Sequence, residues 1–126
     1  MKAILLIDHG SRREEANEML GSMAELVQKQ VGGAAVVRYA HMELAEPSIA
    51  RGFGDCVEAG ADEIIAFPYM LSPGKHSTAD IPRMVAEAAA PYPGVRYRVT
   101  PAFGVHEKLG EIIAERAGVL TVISEA

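Results

Sequence analysis

Cysteine occurs once in the 126-residue chain, at Cys56, which excludes an internal disulfide and any cage of several thiolates. Metal chemistry must therefore rest on nitrogen and oxygen ligands. No apolar run approaches the length that spans a bilayer, so membrane insertion is not expected. The opening run of residues 1–7 is short and meets Asp8 at once, unlike a secretory signal, and the expected location is the cytoplasm. A basic excess is missing too: 12 lysines and arginines against 17 aspartates and glutamates leave a formal net charge of -5, which argues against nucleic acid as a partner. No Gly-x-x-x-x-Gly-Lys-Ser/Thr loop is present, since Ser72-Pro73-Gly74-Lys75 does not complete one, and no nucleotide is implied. Internal repeats and low-complexity linkers are absent.

What is there fits one domain covering residues 1–126. Residues 3–8 form a compact apolar run that suits a strand buried on both faces. Ser11 followed by Glu14 has the capping-box pattern, and Ala16, Met19, Leu20, Met23 and Val27 recur at helical spacing until Gly32-Gly33. Residues 34–40 read as a second strand. Pro47 suits the first turn of a second helix, with Ile49, Phe53, Cys56 and Val57 on its buried face and Gly60 as its stop. Residues 62–67 are a third strand. A cap at Thr78 or Asp80 then opens a helix with Pro82 in its first turn and Ile81, Val85 and Ala88 facing inward. Residues 95–100 alternate as a fourth strand, and Val105, Leu109, Ile112 and Ile113 mark a last helix that Gly118 ends. Residues 119–123 fit a fifth strand, a helical turn or a dimer contact equally well. The alternation predicts an α/β fold, an open parallel sheet of about four strands with helices on both faces.

In such sheets ligands bind beyond the carboxyl ends of the strands, where strand order reverses. With the common order 2-1-3-4, His9 after strand one and the loop carrying His76 after strand three should emerge side by side, flanked by Glu43. Neutral imidazoles bind cobalt, nickel, iron or zinc and accept protons near pH 7. The bland alternative makes His9 a helix cap and His76 a solvated loop residue. Glu46 precedes helix two, where a negative charge needs no functional reason; Glu43 is thus the carboxylate of choice. Ser11 serves first as a cap and only secondarily as a ligand contact. Arg12, Arg13 and Lys75 could form a carboxylate-binding rim, or be ordinary surface charge. Met42, Tyr69, Met70 and Leu71, with Ser72 in the same loop, could wall a flat ligand or simply pack in the core. His41 is expected in solvent, and His106 as a cap or a surface residue of the last helix.

Three ordered segments carry a resemblance: Asp8-His9-Gly10-Ser11-Arg12, the run from Met42 to Ile49, and the run from Pro68 to His76 leading into Asp80-Ile81-Pro82. Through them the chain resembles the sirohydrochlorin chelatase family, the CbiX-type cobaltochelatases and their ferrochelatase relatives. The resemblance implies an enzyme, a sirohydrochlorin cobaltochelatase that inserts a divalent metal without ATP in cobalamin-type tetrapyrrole biosynthesis. It implies that His9 and His76 hold the incoming ion, with Glu43 as a carboxylate partner. Cobalt is the first choice of metal substrate, nickel and iron the alternatives, and a non-catalytic metal or tetrapyrrole carrier is the rival role. Single-unit members act as homodimers, so a homodimer is implied here. His41 departs from the family's usual pattern and is a candidate additional ligand. A histidine-phosphatase reading of His9 lacks the arginine that should precede the histidine, since Asp8 stands there.

Overall fold

The structure, a computed structural model, describes residues 1–119 apart from the Ser77 side chain. Strand β1 (Lys2–Asp8) leads into α1 (Glu14–Val31), a short 3-10 turn at Gly32–Ala34, and β2 (Ala35–His41). Helix α2 (Ile49–Glu58), β3 (Glu63–Pro68), a π-helical turn at His76–Asp80 continuous with α3 (Ile81–Ala89), β4 (Arg96–Val99) and α4 (Glu107–Arg116) follow. The four strands lie in the order β2-β1-β3-β4, all parallel. This is the predicted order, and it places the reversal between β1 and β3.

Alternate residues of the central strand feed two cores. Ala3, Leu5 and Ile7 join Phe53 and Cys56 of α2 and Ile81 and Val85 of α3. On the other face Leu6 packs with Leu20 and Ala24 of α1 and Val37 of β2. Each fully buried large aliphatic or aromatic side chain contributes about 1.5–3 kcal/mol relative to exposure, so these two layers hold the sheet. Burial also pushes the Cys56 thiol up to about 12, which keeps it neutral and unreactive at neutral pH.

Several helix starts differ from expectation. Ser11 does not cap α1: Arg13 stands at the cap position without a side-chain bond, and Ser11 Oγ instead accepts from Arg13 N–H at 3.0 Å. Asn17 competes successfully for the Ser11 backbone, accepting from its N–H and donating to its carbonyl. Met19 is exposed rather than buried. Pro47 lies before α2, whose cap is Ser48, with Oγ accepting from Arg51 N–H. Neither Thr78 nor Asp80 caps α3, because helical winding already begins at His76; the Thr78 hydroxyl donates back to the Gly74 carbonyl. Helix α4 buries none of its residues: Ile112 and Ile113 are exposed, as is Val105 ahead of the helix, and His106 caps its start, one of the two roles expected for that histidine. Of the tail at 119–123, only Val119 lies within the described residues.

Candidate metal centre

The β1–β3 ladder ends with Ile7 opposite Pro68, and Tyr69 N–H still donates to the Ile7 carbonyl at 2.7 Å. From that shared edge the first strand continues into His9. The third strand's continuation loops over and returns at His76. The two imidazoles meet edge to face, with ring centroids 4.5 Å apart and planes at 85°. An imidazole nitrogen sits about 2.1 Å from an ion such as zinc, so two nitrogens sharing one ion lie at most about 4.2 Å apart. With centroids 4.5 Å apart, only ring nitrogens that face one another fall within that span. Among the described residues no third His, Cys, Asp or Glu completes a three-ligand group. An ion gripped by this pair would keep open positions for incoming ligands, which transfer requires.

His76 Nδ1 lies 3.0 Å from Asp80 Oδ2, one helical turn further on. A ligand histidine that gives one ring N–H to a carboxylate has its other nitrogen fixed toward the metal. Asp80 thus stands where it can orient His76, a position the sequence pointed to only as a possible cap and as part of the resembling segment. The i, i+4 spacing of a histidine and an aspartate on one helix was the available signal.

A cleft of about 410 Å³ opens at the pair, lined by His9, His76 and residues 69–75. Tyr69, Met70, Leu71, Ser72 and Lys75 are therefore brought together with both histidines. Met70 also packs against the larger core, and Tyr69 against the smaller one. Met42 does not line this cleft; it packs against the larger core. Glu43 approaches through its backbone, whose N–H donates to the His9 carbonyl at 3.1 Å, while its side chain is exposed. The Ser11 hydroxyl is engaged in the turn before α1. Arg12, Arg13 and Lys75 are exposed, and among the described residues none of them forms a salt bridge.

His41 is not in solvent. It is 1% exposed, and its Nδ1 lies 2.6 Å from Asp8 Oδ1. Asp8 and His41 are paired positions at the last rung of the β1–β2 ladder. No sequence spacing reports a side-chain partner across two strands until the register is known.

Residues 3–119 match the CbiX family model. The chain belongs to the CbiX family. Within and around it, the chain is 42% identical over 113 residues to a chloroplastic sirohydrochlorin ferrochelatase of Arabidopsis thaliana, matching 90% of this chain and 50% of that protein. It is 31% identical to a sirohydrochlorin cobaltochelatase of Sulfurisphaera tokodaii over 92% of this chain and 91% of the relative. Its fold superimposes on the crystal structure of the sirohydrochlorin chelatase SirB from Bacillus subtilis subspecies spizizenii in complex with cobalt, with a TM-score of 0.84 and 32% identity over 93% of this chain and 50% of that one. The chain thus spans half the length of the plant relative and of this solved structure, and nearly all of the archaeal relative.

Proposed function

We propose that this chain inserts a divalent metal ion into sirohydrochlorin without ATP, with cobalt as the ion and cobalamin-type synthesis as the setting. Nickel and iron are the competing ions. Relatives named for iron and for cobalt both match, and nitrogen and oxygen ligands alone do not fix the metal. The observation that carries the reading is the His9–His76 pair at the mouth of the sheet.

In this reading both rings hold the incoming ion as a substrate, and the macrocycle nitrogens take its open positions. Two pyrrole N–H protons must leave as the metal enters, and a histidine of the pair or Glu43 accepts them. Tyr69, Met70 and Leu71 face the ring from the cleft. The exposed charges of Arg12, Arg13 and Lys75 meet the carboxylates of the tetrapyrrole.

A homodimer belongs to the same proposal. On the α1 side of the sheet an apolar cavity of about 450 Å³ is lined by Met23, Val27, Ile65, Phe67 and Phe103 among others, and α4 nearby leaves Ile112 and Ile113 exposed. An uncovered sheet face and an apolar helix on one chain favour a self-complementary contact. A cytoplasmic location completes the reading, in keeping with a single, buried thiol.

The test is anaerobic cobalt insertion into sirohydrochlorin by His9→Ala and His76→Ala, each checked for an intact fold by circular dichroism. Both variants are expected to lose turnover; wild-type rates in both would rule the reading out. Several turnovers per chain under excess substrate separate catalysis from mere carriage.

A further inference from the structure

The two histidines are held in different ways. The His76 ring is oriented by Asp80, but neither ring nitrogen of His9 makes a hydrogen bond to a described residue. His9 is exposed, so its placement must come from the backbone that carries it. We propose that the pair of half-buried Asp8 and buried His41 is the positioning device for His9. This rests on the reading of His9 and His76 as the metal site.

One carboxylate oxygen does two things at once. Asp8 Oδ1 accepts from the Gly10 N–H at 3.0 Å and takes the His41 Nδ1–H at 2.6 Å. The residues on either side of His9 are thereby tied to each other and to the end of β2. The backbone supplies two further bonds: Met42 N–H donates to the Asp8 carbonyl at 2.9 Å, and Glu43 N–H to the His9 carbonyl at 3.1 Å. Gly10 closes the turn at φ +90°, where a Cβ would stand 1.8 Å from the Glu43 carbonyl oxygen. Only glycine tolerates that approach.

His41 is itself held at its backbone and at its ring. Its N–H donates to the Pro47 carbonyl at 2.8 Å, and its ring packs edge-on against Tyr39 with centroids 5.8 Å apart. With Nδ1 committed to Asp8, His41 acts on the metal through His9 rather than as a ligand. Bonds to a carboxylate are charge-assisted, and inside a protein they hold geometry more firmly than in water. Removing the ring's donor frees one of the two ties on Asp8. The turn carrying His9 then loses its fixed bearing toward His76.

The experiment uses the full chain and Co2+ alone as the probe, titrated without oxygen and followed by the visible absorption of the bound ion. His9→Ala reports the metal site, His41→Phe removes the donor, and His41→Asn restores it, because the asparagine amide nitrogen sits near the place of Nδ1. His41→Phe is expected to weaken Co2+ binding about 10- to 100-fold, as loss of outer-sphere support does. His41→Asn is expected to bind close to wild type with the wild-type spectrum, even if both variants melt at the same lowered temperature. A role confined to stability would lower both melts and leave both affinities unchanged, and that overturns the proposal. If His41→Phe does not fold, Asp8→Asn takes its place: weaker Co2+ binding supports the proposal and wild-type affinity overturns it. Should His9→Ala bind Co2+ as tightly as wild type, the metal-site reading fails. Loss in His9→Ala alone, with His41→Phe unaffected, removes only the positioning role.

Discussion

Two imidazoles make a cation site only when their lone pairs converge, and at the His9–His76 contact the orientation of one ring is tied to a third side chain. Asp80, 3.0 Å from His76 Nδ1, engages that nitrogen and leaves Nε2 as the one that would serve an ion under the proposed function. Asp80→Ala is expected to weaken Co2+ affinity about 10- to 100-fold, read by the same anaerobic titration. Unchanged affinity would mean that something other than this carboxylate orients His76. The two histidines could be read from the sequence because each directly follows, or returns to, an apolar strand at the reversal of strand order. Asp8 with His41 could not. A histidine in a polar stretch looks solvated until pairing of the strands sets it against a carboxylate.

Elements were legible where apolar residues recur and obscure where side chains compete for the backbone. Helix α2 shows the first case. Of its predicted face Ile49, Phe53 and Cys56 are buried and Val57 only partly so, with Gly52 added because it lies flush against the sheet. A Cβ at Gly52 would approach the Ala40 Cβ to 2.9 Å, the Leu5 Cδ1 to 3.0 Å and the Tyr39 carbonyl to 3.2 Å. Gly52→Ala is therefore expected to destabilise the fold by about 1–3 kcal/mol through overpacking, measured by urea unfolding. A more stable variant would show that α2 can lift without cost. The second case is the start of α3, where residues 74–80 carry no apolar period to announce a helix. The Ser11–Glu14 pattern misleads for a similar reason, since Asn17 captures the Ser11 backbone on both sides.

At the scale of the molecule, the alternation of strands and helices gave the open parallel sheet, and the common strand order, which the structure bears out, gave the side on which the histidines emerge. It was not enough to show that α4 leaves its apolar residues uncovered. Ile113 is 70% exposed, and the apolar cavity on the α1 side of the sheet lies open. If a second copy covers these surfaces, Ile113→Asp should shift the chain from dimer to monomer in sedimentation at micromolar concentration, with little change in its secondary structure. A variant that stays dimeric would move the contact to another face.

The parallel ladder between β1 and β3 works as a calliper, with one imidazole near each jaw. A slip of one rung would displace a jaw by about 3.3 Å and turn alternate side chains to the opposite face. Any cation clasped at the tips must then also rivet those rungs, and part of its grip returns to the chain as resistance to melting.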